Sequence, residues 1–144
     1  MNDTLDSQKE NESRRIKRID EKAAVTSKIS DTTRFVAFGL LVIFYGIHIG
    51  DDSFATQARN EYPNLHFFMG LLSALAILLD YLQYVFGFVS VEDALKSESQ
   101  EYDSTHIAYK ARDYAFKWKQ YCVIGGASIL VFLVAYPTFC APSA

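Results

Sequence analysis

The sequence predicts an all-α integral membrane protein with about three transmembrane helices, a cytoplasmic N-terminal helix and a cytoplasmic helical hairpin. Half of the 144 residues are hydrophobic. Charged and apolar residues also stand in separate blocks: Met1–Arg34 holds eight Lys or Arg and seven Asp or Glu, whereas Phe35–Ile49 holds none of them. A soluble helix or strand mixes the two classes at its own period because one face is wet. Blocks of this kind indicate a chain whose apolar segments lie in a lipid bilayer.

The N-terminal region divides into a tail and a helix. Residues 1–12 are polar and acidic with little to bury, which favours a disordered tail. Residues 13–31 contain no Gly or Pro, and their apolar residues recur at steps of three and four. This spacing predicts a weakly amphipathic helix.

The remaining residues, 32–144, form the predicted transmembrane domain. Its three apolar segments are 33–49, 65–91 and 120–136. Pro63 is expected to begin the second helix and Pro137 to help end the third. Between the second and third spans, residues 92–119 are predicted to form a helical hairpin with its turn at 97–105.

Lys and Arg residues set the expected orientation. Eight lie in the N-terminal segment, five in the hairpin, one in the 50–64 link and none after Tyr136. This distribution predicts a membrane protein with its N-terminus and hairpin in the cytoplasm and its C-terminus outside.

Asp80 is the most informative single residue, because it lies well inside the second span, where an unpaired carboxylate is costly. Small and polar residues share its helical face, and the candidate pore or helix-seam residues there are Ser73, Asp80, Gln83, Tyr84 and Gly87. One hypothesis is a water-lined path in which several subunits place Asp80 and Gln83 around a cation pore. The other is a close helix–helix seam, with Asp80 bonded to Tyr45, Tyr81 or another chain.

The 50–64 link carries three acidic residues, Asp51, Asp52 and Glu61. Around an oligomer axis they would form an electronegative outer mouth that concentrates cations. A solvated loop is the simpler interpretation. His48 and His66 flank the link, but no third ligand at helical spacing completes a metal site.

Two cytoplasmic features are further candidates. The basic residues of the N-terminal helix are Arg14, Arg15, Lys17, Arg18 and Lys22. They satisfy the positive-inside rule, and they could also bind anionic lipid headgroups or a nucleotide or oligonucleotide. The predicted hairpin has a heptad-like seam with Ile107, Tyr114, Trp118 and Tyr121. It could pair with the N-terminal helix, with residues 92–96 or with another subunit.

No motif in the chain indicates catalysis. The HExxH, GxSxG, P-loop and GxGxxG patterns are all absent, and there is no CxxC or Cys/His cluster. We therefore expect no enzymatic activity, no cofactor and no metal.

The layout resembles that of small bacterial membrane effectors of phage-defence operons, the SLATT-type proteins and the membrane channel subunit of Hailong-type systems. The resemblance lies in the charged helix RRIKRIDEKAAVTSKI leading into a span, the span pair that follows and the tyrosine-rich helix YKARDYAFKWKQY. It implies an oligomeric pore whose opening depolarises the membrane of an infected cell, under the control of a partner enzyme's nucleotide product.

Together these observations favour a homo-oligomeric transmembrane ion channel, such as a tetramer, that is cation-permeable and gated through its cytoplasmic helices. A single copy with three spans cannot enclose a pore, so a channel requires several copies, for which closed cyclic symmetry is the commonest arrangement. Two alternatives remain open at this stage. One is a non-conducting membrane anchor or adaptor protein, and the other is a holin-like lysis protein.

Overall fold

The computed structural model describes the backbone of residues 2–96 and 107–140, and the side chains of residues 12–92 (apart from Ile19) and 107–136. Four helices make up these residues: α1 (Asn2–Ile49), α2 (Ser53–Glu61), α3 (Pro63–Lys96) and α4 (Ile107–Cys140). Three of the four, α1, α3 and α4, are long and apolar enough to cross a membrane. The predicted all-α class with three such helices is confirmed at this level.

Helix α1 crosses the boundary between two compact units, Met1–Thr32 and Thr33–Ala144. It is helical from Asn2, whereas the sequence predicted a disordered tail over residues 1–12. The chain has no Gly or Pro before Gly39. Nothing therefore interrupts the helix once a turn has formed, since Gly and Pro are the residues that break helices most strongly.

The 50–64 link contains a helix that the sequence analysis did not predict. Asp52 is the N-cap of α2, and its Oδ1 accepts a hydrogen bond from the Ala55 amide at 2.8 Å. Arg59 Nη1 donates to the carbonyl oxygens of Ile47 at 3.0 Å and His48 at 2.6 Å. These carbonyls belong to the last turn of α1 and have no acceptor role within it. The link therefore caps α1 as well as connecting it to α3.

Helix α3 begins at Pro63, the residue at which the sequence predicts a new element. Helix α4 continues through Pro137 to Cys140, although Pro137 was expected to help end it. Pro137 offers no amide hydrogen to the Leu133 carbonyl, and the helix ends within one turn after it. The predicted turn at 97–105 lies outside the described residues.

Helices α1, α3 and α4 meet in successive layers, about one layer for each helical turn. From the Arg34 end, the first layer joins Arg34, Asp80 and Lys119. Next come buried small residues, Ala37, Ala76 and Cys122. The layer farthest from Arg34 contains Ile47, Met69 and Leu133, together with Ala55 and Ala58 of α2. This order makes α3 antiparallel to both α1 and α4.

Glycines admit the side chains that hold α1 against the other two helices. A Cβ atom built on Gly70 would lie 2.6–2.7 Å from the Phe44 ring, and one built on Gly126 would lie 3.1 Å from Leu40 Cδ1. The Gly70 notch on α3 is thus filled by Phe44 and the Gly126 notch on α4 by Leu40, both from α1. By contrast, a Cβ on Gly39 of α1 would meet nothing within 4 Å.

A pair of alanine substitutions tests this packing. Both Gly39→Ala and Gly70→Ala gain helix propensity, by roughly 0.5–1 kcal/mol. Only Gly70→Ala forces the Phe44 ring to move, and such overpacking costs about 1–3 kcal/mol. We expect Gly70→Ala to unfold at a lower temperature than Gly39→Ala in detergent micelles, as followed by circular dichroism. Equal unfolding temperatures would contradict the packing of Phe44 on Gly70.

Candidate functional site

Three charged side chains from three helices meet at one end of the apolar layers. Asp80 of α3 accepts a hydrogen bond through Oδ2 from Arg34 Nε of α1 at 2.7 Å. Its Oδ1 accepts one from Lys119 Nζ of α4 at 2.5 Å. The carboxylate is thus bound by one cation on each side, and both bonds are charge-assisted, the stronger class of hydrogen bond.

Tyr84, one turn after Asp80 on α3, extends this arrangement. Its hydroxyl accepts a hydrogen bond from Arg34 Nη2 at 2.6 Å, and the Arg34 guanidinium carbon lies 5.3 Å from the centre of its ring. Lys119 Nζ lies 5.4 Å from the centre of the Phe116 ring, within the range of a cation–π interaction. We call Asp80, Arg34, Lys119 and Tyr84 the Asp80 cluster.

The two cations differ in their access to solvent. The Lys119 side chain is 0% exposed and that of Asp80 is 9% exposed, but the Arg34 side chain is 34% exposed. A buried ammonium without a carboxylate would be costly, so Lys119 depends on Asp80. Arg34 reaches solvent with part of its guanidinium and depends on the carboxylate less.

The Asp80 cluster corrects one expectation about Asp80. Its partners are Arg34 and Lys119, not Tyr45 or Tyr81, which are 61% and 65% exposed. The two cations lie at the start of the first and third apolar segments, whereas residues 81–91 of α3 continue beyond Asp80 within the candidate span Pro63–Glu92.

The other candidates on α3 have separate environments. Ser73 is 0% exposed, and its Oγ donates to the Met69 carbonyl at 2.7 Å. Gln83 is partly buried, and among the described residues its Oε1 has no hydrogen-bond partner. A Cβ on Gly87 would lie 3.5 Å from Arg112 Cδ, so the Arg112 stem packs there. Ser73 and Gly87 thus lie against other parts of the same chain, and the pore or helix-seam role of the set stays a prediction.

The three acidic residues of the link are all exposed, and two of them have local partners. Asp52 caps α2, and Glu61 Oε2 accepts from Gln57 Nε2 at 3.0 Å. The two histidines of this end lie with their ring centres 6.0 Å apart, and the Phe44 and His66 rings are stacked at 4.6 Å. Within the described residues, no three His, Cys, Asp or Glu side chains are grouped as a metal site would require.

The basic candidates of α1 are exposed along the Met1–Thr32 unit: Arg14, Arg15, Lys17, Arg18 and Lys22. On α4 the predicted seam residues are also exposed, Ile107 by 82%, Tyr114 by 63%, Trp118 by 59% and Tyr121 by 66%. The buried row of α4 is instead Ala108, Ala115, Lys119 and Cys122. The helix therefore turns a row of small residues and one lysine inwards, and turns the predicted seam outwards.

Sequence reasoning did not assign the two cations of the Asp80 cluster. It counted Arg34 and Lys119 only among the Lys and Arg residues that set the expected orientation, and it gave neither of them a partner. One signal was available: Arg34 lies sixteen residues before Gly50, and Asp80 lies seventeen after Pro63. Antiparallel helices joined by a short link place such residues at the same level.

Comparison with known proteins finds no match: no family model, no curated protein and no solved structure corresponds to this chain.

The Asp80 cluster makes a testable contribution to stability. Lys119→Met leaves Asp80 without its buried partner, and breaking a buried pair from one side costs about 3–5 kcal/mol. The double variant Asp80→Leu/Lys119→Met removes both buried charges, so we expect it to regain most of this loss. Thermal unfolding in detergent micelles measures both effects.

Lys117→Met is the matched control for Lys119→Met. Lys117 also pairs with a carboxylate, with its Nζ 2.7 Å from Asp113 Oδ2, but the two side chains are 60% and 54% exposed. Its removal should leave the unfolding temperature almost unchanged, because exposed ion pairs contribute little. If Lys119→Met unfolded at the same temperature as Lys117→Met, the pairing of Lys119 with Asp80 would be refuted.

Proposed function

We propose that the protein is a homo-oligomeric membrane channel and that the conformation described above is its closed state. The observation that carries the proposal is the Asp80 cluster within helices apolar enough to cross a bilayer. A buried ion pair contributes little net stability compared with apolar residues of the same volume, and its best-attested use is in specificity and switching. Ionisable groups within membrane spans mark ion pathways more often than other residues do.

The closed state follows from where the polar residues of α3 lie. His66, Ser73, Asp80 and Ser90 are all buried within a single copy. An assembly of such copies would present apolar surface to its axis, and a hydrophobic constriction excludes water and ions. Conduction therefore requires the helices of each copy to separate and to expose this polar row. Cation permeability is supported by the exposed Asp51, Asp52 and Glu61 near α2.

Self-association is supported by one face of α1. Phe35, Val42 and Ile49 are 78%, 71% and 58% exposed, and Gly39 and Gly46 lie between them with no atom within 4 Å of a built Cβ. The other glycines of the three long helices, Gly70, Gly87, Gly125 and Gly126, each have a side chain of the same chain against them. Close packing on small residues drives helix association in membranes. A second copy would fill the two open notches.

The topology we propose places Arg34, Lys119 and the exposed Tyr81, Tyr84 and Trp118 at the cytoplasmic edge of a bacterial inner membrane. Aromatic and basic side chains concentrate at such an edge. The link and α2 then lie outside. Open channels would depolarise the membrane, as an effector of the kind that the sequence resembles would do, and a nucleotide or a partner enzyme remains the proposed regulator.

A second function is favoured by one observation. Asp80 is satisfied within its own chain, as expected for a non-conducting membrane anchor or adaptor whose charges only set helix register. In that case the exposed row of α4, including Tyr114 and Trp118, is the surface that presents itself to a partner. The two functions differ in one measurable property, which is ion flux.

Ion flux from proteoliposomes distinguishes the two functions. Although the closed state predominates, we expect the small open fraction of purified protein in liposomes to release potassium. Gly39→Leu/Gly46→Leu should abolish this flux, because leucines fill the notches that copies need. The same double variant should lose oligomer bands after chemical crosslinking while its monomer keeps its helical content. Ser128→Leu, at another exposed position on α4, is the control and should conduct normally.

If the wild type and Arg34→Gln, which weakens the closed state, both fail to release potassium, the channel is refuted and the adaptor is favoured. Conduction by Gly39→Leu/Gly46→Leu at the wild-type rate would refute the proposed subunit face.

A further inference from the structure

We propose that α1 opens away from the α3–α4 pair by breaking the contacts of Arg34, while Lys119 stays bound to Asp80. The movement can be tested without ion flux. As the opening step of a channel, however, it rests on the function proposed above. The two sides of the Asp80 cluster differ in burial, in helix packing and in the cost of exchange with water.

The Lys119 side belongs to a closely packed helix pair. The backbones of α3 and α4 approach each other more closely than α1 approaches either of them. Small residues make this possible, with Ala76 and Cys122 buried in one cluster. Lys119 lies one turn from Cys122 on the same face of α4 and is fully buried. Moving it from Asp80 would require this pair to part.

Arg34 belongs to α1, which contacts α3 and α4 through its side chains and not by close approach of the backbones. Leu40 and Phe44 bridge from α1 to the glycine notches of α4 and α3. Such contacts can be released without moving the backbone of α3 or α4. Arg34 is also 34% exposed, so water can replace Asp80 and Tyr84 as acceptors for its guanidinium. A partly exposed charged donor exchanges partners at much lower cost than a buried one.

The consequence is an opening in which α1 leaves first and the Asp80 carboxylate always keeps a cationic partner. When Arg34 leaves, Asp80 keeps the bond to Lys119. Ala37 moves off the cluster that contains Ala76 and Cys122, and Leu40 moves off Gly126. The Cβ position of Gly126 is 3.7 Å from Ser73 Oγ, so the departure of Leu40 also uncovers that hydroxyl. A polar strip from Ser73 to Asp80 then becomes accessible along α3.

Native Cys122 reports this movement directly. It is 5% exposed and is packed in the same cluster as Ala37 of α1 and Ala76 of α3. Its thiol becomes accessible to a small maleimide when α1 leaves, so the labelling rate follows the open fraction. In liposomes containing protein with a Cys140→Ser background, we expect Arg34→Gln to raise the rate about tenfold or more, because the guanidinium donates two charge-assisted hydrogen bonds and the loss of one already predicts a factor of about ten.

Two further variants keep this test decisive. Tyr84→Phe removes only the hydroxyl that accepts from Arg34 Nη2, and it should raise the rate in the same direction but by less. Lys117→Gln removes a charge from an exposed pair on α4 and should leave the rate unchanged. Labelling at the wild-type rate in both Arg34→Gln and Tyr84→Phe would overturn the proposal, as would an equal rise in Lys117→Gln.

Matched crosslinks connect the movement to function. Leu40→Cys/Gly126→Cys ties α1 to α4, and Leu72→Cys/Gly125→Cys ties α3 to α4. In each pair the glycine position lies against the leucine side chain, since the built glycine Cβ lies 3.1 Å from Leu40 Cδ1 and 3.3 Å from Leu72 Cδ1. In a Cys122→Ala/Cys140→Ser background, a short thiol crosslinker should block potassium flux in the first pair only.

Flux that survives the α1–α4 crosslink, or that is blocked equally by both crosslinks, would overturn the opening at Arg34 while leaving a channel in place. The converse outcome is faster Cys122 labelling in Arg34→Gln without flux from any variant. It would support the movement and refute the channel.

Discussion

A carboxylate enclosed by apolar helices requires a cation beside it, and the arrangement of this chain depends on how that requirement is met. Asp80 is held by Lys119 from α4 and by Arg34 from α1, so one residue of α3 fixes the level of both neighbouring helices. Helices held by apolar packing alone can slide by a turn at modest cost. Here a slide would separate a fully buried ammonium from its carboxylate, at a cost of several kcal/mol.

The layers that follow the Asp80 cluster are consistent with the level that it sets. Moving away from it, each turn brings the next contact into place: Ala37 with Ala76 and Cys122, Leu40 with Gly126, and Phe44 with Gly70. At the far end, Arg59 caps α1 through the Ile47 and His48 carbonyls. The apolar part of α1 is therefore fixed at both ends by guanidinium groups. Arg34 binds a buried carboxylate, whereas Arg59 binds backbone carbonyls.

The helices were predictable from the sequence, but the cluster was only partly so. Blocks of apolar residues specify three long helices because nothing else satisfies the backbone in lipid. The periodicity of α3 placed Ser73 and Asp80 on one face, and both are buried there. Which cations meet Asp80 depends on the register between helices. That register depends on the length of the link and on the notches at Gly70 and Gly126. The periodicity of each helix taken alone contains no information about either. The same holds for α4, whose predicted seam residues are exposed. Ala108, Ala115 and Lys119 face inwards instead, because Lys119 pairs with Asp80.

The most direct test of this account is whether Lys119 and Asp80 belong to the same chain in a lipid bilayer. Solid-state NMR can measure the dipolar coupling between ¹⁵N at Lys119 Nζ and ¹³C at the Asp80 carboxyl. In protein diluted with an excess of unlabelled copies, we predict that the coupling keeps its full strength, since Nζ lies 2.5 Å from Oδ1 within one copy. A coupling that disappears on dilution would mean that the pair forms between subunits, and one that is absent without dilution would mean that Lys119 does not pair with Asp80 in the membrane. Either result would contradict the account.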